Sequence, residues 1–203
     1  GDLAQAEELY RRALRMDPTQ PHVHRELAQV LRQEGKLEEA LEVNRAYLAN
    51  PSFSPGAGFD LSAVGEMVSL SRELGRLAEL TAEQEAALAA DPENGQAKYF
   101  LACIAQDAGD LSRALSLLRE LDTDGRFAHA IVNVLEMSGD TAGLHAYLKE
   151  QAEAPGRGYA DYRRLARCAM ALGDRAGAVH WIEENARQQG GGRPDPRYVL
   201  DEL

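Results

Sequence analysis

Apolar residues recur along this chain at helical spacing, in two segments on either side of a regularly placed glycine. Eight and four residues before that glycine, apolar or small side chains form an i, i+4 stripe that predicts one face of a first helix. The stripe consists of Leu27 and Leu31, Met67 and Ser71, Leu101 and Ala105, Ile131 and Leu135, and Leu165 and Ala169. Further apolar or small residues stand five after the glycine, in a predicted second helix. The pattern therefore predicts paired helices along the whole chain.

The glycines between the paired segments are Gly1, Gly35, Gly75, Gly109, Gly139 and Gly173, called the ladder glycines below. Their spacings are 34, 40, 34, 30 and 34 residues, so one period recurs, lengthened once and shortened once. A fixed period of this size is typical of stacked helical hairpins, each covering the apolar face of its neighbour. Each glycine is expected to end a first helix in the left-handed conformation. The shortened interval predicts that the helix over 111–121 is about one turn short.

These residues resemble the tetratricopeptide repeat, a helix-turn-helix unit of about 34 residues. The best match is Ala6, Tyr10, Ala13 and Pro18 after Gly1, followed by Leu27, Ala28, Leu31, Gly35 and Ala40. The resemblance implies an all-α, right-handed α-solenoid of stacked antiparallel helix hairpins, in which the first helices line a concave groove. Asn44, Gln84 and Ser71 depart from the family pattern, and looser packing is expected there.

The array is predicted to cover residues 1–189. It divides into a half repeat at 1–18 and repeats at about 20–51, 60–92, 94–123, 125–155 and 158–189. The half repeat lacks a first helix, which predicts either further repeats upstream or self-association through this unpaired helix. The loop at 51–59 is either a tolerated surface insertion or a flap that places Phe53 or Phe59 over the end of the groove. Residues 190–203 are predicted to be a linker with a short capping helix or the start of a next domain.

Charge and composition narrow the class of partner. The net charge is -11, with 33 acidic and 22 basic residues, which disfavours nucleic acid because binding to phosphate backbones depends on cations. No apolar run approaches the roughly 20 residues of a membrane helix, so membrane insertion is not expected. Cys103 and Cys168 stand far apart without a C-x-x-C motif and are interpreted as reduced thiols. The expected compartment is the cytoplasm, or the periplasm if a signal precedes Gly1.

Candidate ligand residues follow from the resemblance, which implies contacts from positions thirteen, ten, nine and six before each ladder glycine. The peptide-binding candidates are Arg25, Gln29, Tyr99, Phe100, Arg126, His129, Asn133, Arg163, Arg164 and Arg167. Residues 60–94 carry eight acidic and two basic side chains, whereas 157–187 carry six basic and four acidic ones. The groove is therefore expected to end in a basic segment that binds an acidic peptide. The alternative is a solvated arginine face paired with Asp161 or Glu183.

The sequence offers no candidate catalytic group and no expected cofactor. His22 and His24 point about 200° apart on a helix, so only His22 and Glu26 could share a metal ion, and packed or exposed histidines are favoured. Phosphate loops, nucleophile elbows and H-E-x-x-H motifs are missing from the sequence. The first hypothesis is a non-catalytic scaffold that binds a peptide or helix of a partner protein in its concave groove. The second is a recruiting arm of a larger glycosyltransferase, hydroxylase or sulfotransferase whose catalytic domain lies outside this chain.

Overall fold

The structure, a computed structural model, describes residues 2–49, 60–154 and 161–188. Within these ranges the chain is all-α, as predicted, and contains eleven helices and no strand. They are α1 (Leu3–Met16), α2 (Pro21–Gln33), α3 (Leu37–Ala49), α4 (Leu61–Glu73), α5 (Leu77–Ala90), α6 (Gly95–Asp107), α7 (Leu111–Leu121), α8 (Ala128–Ser138), α9 (Thr141–Glu153), α10 (Tyr162–Ala171) and α11 (Arg175–Gln188). The predictions at Gly1, at the loop 51–59 with Phe53 and Phe59, and at 190–203 lie outside the described residues.

The helices group into two compact units, one ending at Ala108 and the other beginning at Gly109. In the first unit each helix from α1 to α6 packs against the next, and α4 also packs against α6. In the second unit α7 to α11 pack in the same consecutive way. Each unit is thus a stack of helix hairpins, the arrangement that the period predicted.

The ladder glycines end the first helices as expected. Gly35, Gly75, Gly109, Gly139 and Gly173 all have positive φ, between 69° and 82°. At the first of these turns the Gly35 N–H donates to the Arg32 carbonyl and the Lys36 N–H donates to the Leu31 carbonyl. This pair of bonds is a Schellman motif, in which a left-handed residue satisfies carbonyls that the helix end leaves open. Glycine adopts that conformation at little steric cost.

The core confirms the predicted register. The side chains eight, seven and four residues before the described ladder glycines are buried without exception: Leu27, Ala28, Leu31, Met67, Val68, Ser71, Leu101, Ala102, Ala105, Ile131, Val132, Leu135, Leu165, Ala166 and Ala169. The polar departures Asn44 and Gln84 are buried as well, and the Asn44 amide nitrogen has no hydrogen-bond partner among the described residues. Gln84 borders a crevice of about 240 Å³ together with Met67 and Phe100. Helix α7 has 11 residues against the 13 of α3, so it is shorter by about half a turn rather than by the predicted full turn.

Ion pairs link the second helices α1 and α3. The Glu7 carboxylate accepts hydrogen bonds from Lys36 and Arg11, both at 2.6 Å, and Arg11 also pairs with Glu39. The bonds from Lys36 and then from Arg11 lower the pKa of Glu7 from its ordinary value of 4.5 to about 2. Folding therefore favours the ionised form of Glu7 over its protonated form.

Glu7→Gln should make the protein less stable at neutral pH, and the difference should shrink on acidification. Because the folded-state pKa of Glu7 is lowered, its contribution is present above pH 4.5 and is lost as the pH falls towards 2. Urea unfolding of both proteins from neutral pH down to about pH 3 measures this difference. Glu8→Gln, which neutralises an exposed carboxylate of the same helix, is the matched control. A Glu7→Gln difference that stays constant over this range would contradict the prediction.

Candidate functional site

Most predicted ligand residues lie exposed on first helices. In the first unit, Arg25 and Gln29 are exposed on α2 and stand four residues apart, so they share one face of that helix. In the second unit, His129 and Asn133 are exposed on α8 with the same spacing. Arg126 precedes α8, and its guanidinium lies 4.9 Å from the centroid of the Phe127 ring. Arg25 and Gln29 thus lie together on one face of α2, and His129 and Asn133 lie together on one face of α8.

The predicted aromatic contacts of α6 are buried. Phe100 is 2% exposed, and its ring packs in the first unit beside Met67 and Gln84. Tyr99 is 9% exposed, and burial followed by its contact with the Cys103 thiol raises its pKa. Rings this deeply buried stabilise the core and leave little surface for a peptide. Burial therefore favours a core role for Phe100 and Tyr99, and their role as ligand contacts stays a prediction.

Arg164 links two first helices of the second unit. Its Nε lies 3.3 Å from a carboxylate oxygen of Glu136 on α8 and 3.4 Å from one of Asp161. Arg164 is thus the arginine of α10 that pairs with Asp161. Its guanidinium is half-buried, and the two contacts are ion pairs in which the buried Nε makes no hydrogen bond within the described residues.

The same position carries an ion pair of reversed polarity in the first unit. Glu66 on α4, also nine residues before a ladder glycine, accepts a hydrogen bond of 3.1 Å from Arg32 on α2. In both cases the partner stands three residues before the preceding ladder glycine: Arg32 before Gly35, and Glu136 before Gly139. This position therefore connects consecutive first helices, with the two charges exchanged between the units.

Arg163 and Arg167 are the exposed cations of α10. They stand four residues apart, and neither has an ion-pair partner among residues 2–49, 60–154 and 161–188. Glu183, the other carboxylate that the alternative interpretation assigned to them, lies 3.7 Å from Arg187 instead. Two guanidinium groups on one helix face form a positive patch, called the α10 patch below.

A crevice of about 370 Å³ adjoins the α10 patch. Arg167 and Arg164 line it together with Leu135, Leu144 and Cys168. Burial raises the pKa of the Cys168 thiol, and burial likewise raises the pKa of Cys103 to about 11. Neither thiol is activated as a nucleophile, since the thiolate is the reactive form. The crevice thus combines apolar side chains with two guanidinium groups and the Glu136 carboxylate.

One family model matches the first part of this chain. Residues 1–55 match the family model described as tetratricopeptide repeat. This match covers the segment in which the sequence resemblance is best. The resemblance based on Ala6, Tyr10 and the residues up to Ala40 is therefore confirmed. A comparison with curated proteins gives no match.

Solved structures similar to this chain include other helical proteins at low identity. PilF of Pseudomonas aeruginosa is 21% identical over 95% of this chain and 86% of that chain, with a TM-score of 0.47. A tetratricopeptide repeat protein of Parabacteroides merdae is 17% identical over 100% and 92%, with a TM-score of 0.34. BtubC (BKLC) of P. vanneervenii is 19% identical over 96% and 92%, with a TM-score of 0.43. Values this low give no information on function.

His24, which was predicted to occupy an interhelical position, is packed. His24 is buried, its Nε2 lies 3.0 Å from the Pro18 carbonyl oxygen, and its ring centroid lies 5.5 Å from that of Tyr47. Among the described residues, no three His, Cys, Asp or Glu side chains are grouped so that they could hold a metal ion. The part of the chain that the structure describes has no helix with the length and apolar character to span a membrane.

Proposed function

We propose that this chain is a non-catalytic protein-interaction module that binds an acidic segment of a partner protein at the α10 patch. Tetratricopeptide repeats are generally protein–protein interaction modules, which supports the class of function. The observation that carries the proposal is the pair Arg163 and Arg167, which are exposed, lie on one face of α10 and have no ion-pair partner within the described residues.

The chemistry of arginine favours carboxylates as ligands. A guanidinium presents a planar fork of N–H donors that matches a carboxylate with two parallel hydrogen bonds. Two such guanidinium groups, one helical turn apart, can each bind one carboxylate of a segment that carries two acidic side chains. That segment can be an extended peptide or a helix. The adjoining crevice, lined by Leu135 and Leu144, can take an apolar side chain of the same segment. The proposed ligand is therefore acidic with at least one apolar residue.

Exchanging both arginines for glutamate should weaken this binding at least about tenfold, because two favourable ion pairs are replaced by repulsion. The probes are three short synthetic peptides in which leucine alternates with glutamate, with serine or with lysine. Fluorescence anisotropy with the double variant Arg163→Glu/Arg167→Glu measures the loss for the glutamate peptide. Wild type should bind this peptide more tightly than the other two.

The matched control is Arg12→Glu/Arg76→Glu. It makes the same change in net charge at two exposed arginines of the first unit that have no ion-pair partner among the described residues. This control should bind the glutamate peptide almost as tightly as wild type does. Equal affinity of wild type for all three peptides, or equal losses in the two double variants, would reject the α10 patch as the binding site.

A further inference from the structure

A crevice in the first unit lies between α1, α2 and α3, and none of the predicted ligand residues lines it. Its volume is about 600 Å³, within the range of about 300 to 1,000 Å³ typical of ligand sites. Leu14 of α1, Leu27 of α2 and Val43 of α3 form much of an apolar lining, together with Ala46. The crevice, called the α1–α3 crevice below, is thus a separate apolar surface of this unit.

Ion pairs connect α1 with the start of α3, and one of them borders this crevice. Glu7 pairs with Lys36, and Arg11 pairs with Glu39; Arg11 and Glu39 both line the crevice. One turn further along, Arg15 on α1 and Glu42 on α3 line the crevice, and both are exposed. Neither has an ion-pair partner within the described ranges 2–49, 60–154 and 161–188. The apolar lining is therefore bordered by an ion pair at Arg11 and Glu39, and it is accessible one turn further along, beside Arg15 and Glu42.

The rim of the crevice is charged with opposite signs on its two sides. Arg15 supplies a positive charge from α1, while Glu42 and Glu38 supply negative charges from α3. A bound segment must therefore present an acidic side chain towards α1 and a basic side chain towards α3, on either side of its apolar residues. An amphipathic helix provides this arrangement, because its apolar stripe is bordered by two polar edges.

We propose that the α1–α3 crevice binds an amphipathic helix of a partner protein whose apolar stripe has one acidic and one basic edge. Apolar side chains of this helix fill the space above Leu27, and its charged edges pair with Arg15 and Glu42. This site is separate from the α10 patch, which takes an acidic segment. The chain thus has two interaction surfaces with different charge preferences.

Three designed helical peptides test the charge preference directly. All carry the same leucine stripe, and their two edges are acidic and basic, both acidic, or both basic. Wild type should bind the mixed peptide about fivefold more tightly than either of the others. Glu42→Arg should move the preference towards the acidic peptide, and Arg15→Glu should move it towards the basic peptide. Equal affinities for all three peptides in wild type, or preferences that do not move with these substitutions, would overturn the proposal.

A second pair of variants tests the location of binding. Ala46→Trp places a large ring at an exposed position that lines the crevice, and it should weaken binding of the mixed peptide at least about tenfold. Ala86→Trp, at an exposed alanine of α5, is the matched control and should leave that binding unchanged. Neither variant should alter binding of the glutamate peptide at the α10 patch. Equal losses of mixed-peptide binding in the two variants would overturn the location.

The oligomeric state tests whether a second copy of this chain occupies the crevice in place of a partner protein. Sedimentation velocity of wild type over a range of concentrations should give a single species that does not change with Ala46→Trp. A dimer in wild type that dissociates in Ala46→Trp would show that a second copy of this chain occupies the crevice, and it would overturn the assignment to a partner protein.

Discussion

Phe100→Ala should lower the free energy of unfolding by about 3 to 5 kcal/mol, the usual cost of removing a buried aromatic ring. The ring is 2% exposed and borders the same crevice as Met67 and Gln84, so its removal leaves a cavity in the core of the first unit. Urea or thermal unfolding measures the change. Phe100→Leu, which retains most of the apolar volume, is the control and should cost considerably less.

The same variant separates a core residue from a ligand residue. If Phe100 acts only in the core, Phe100→Ala should bind the glutamate peptide as wild type does under conditions where the protein remains folded. Unchanged stability combined with lost peptide binding would instead support the predicted role of Phe100 as a ligand contact.

Leu165→Ala should destabilise the protein by about 2 to 5 kcal/mol, as truncation of a fully buried leucine does elsewhere. Leu165 is 0% exposed on α10, at the position eight residues before Gly173 that is buried in every described repeat. The test is the unfolding midpoint in urea, compared with that of Leu172→Ala. Leu172 is 48% exposed at the end of the same helix, so its truncation should cost much less. Equal losses at the two leucines would mean that the register of the first helices is wrong.

The helices, their caps and most of the core could be predicted because each depends on local spacing. Gly35 and Gly173 mark left-handed turns. The residues at fixed distances from such glycines share one face of a helix, and that face buries apolar side chains. Such features repeat with the period, so each repeat supports the assignment of the others. The match of residues 1–55 to the tetratricopeptide-repeat model agrees with this prediction.

The ligand residues were harder to predict, because exposure depends on what each position contacts across repeats. The position nine before a ladder glycine was assigned to the groove, but Phe100 is buried there and Arg164 is paired with Glu136. A signal was present in the sequence. Arg32 and Glu136 occupy equivalent repeat positions, as do Glu66 and Arg164, and each of the two pairs, Arg32 with Glu66 and Glu136 with Arg164, combines opposite charges. Comparing charges between equivalent positions of successive repeats would have identified Arg164 as a linking residue.

The α1–α3 crevice could not be predicted from the sequence at all. It depends on the distance between two second helices and on the depth of Leu27 below them, which no local spacing specifies. The exposed Arg15 and Glu42 are ordinary surface residues in the sequence, and only their positions beside an apolar lining give them a proposed role.

The most direct test of the binding function is an NMR titration of the isotope-labelled chain with the leucine–glutamate peptide. The account predicts that the largest shifts of backbone amide signals fall on α10 around Arg163 and Arg167, and that they disappear in Arg163→Glu/Arg167→Glu. Shifts confined to other helices, or no shifts at peptide concentrations that saturate the anisotropy signal, would contradict it.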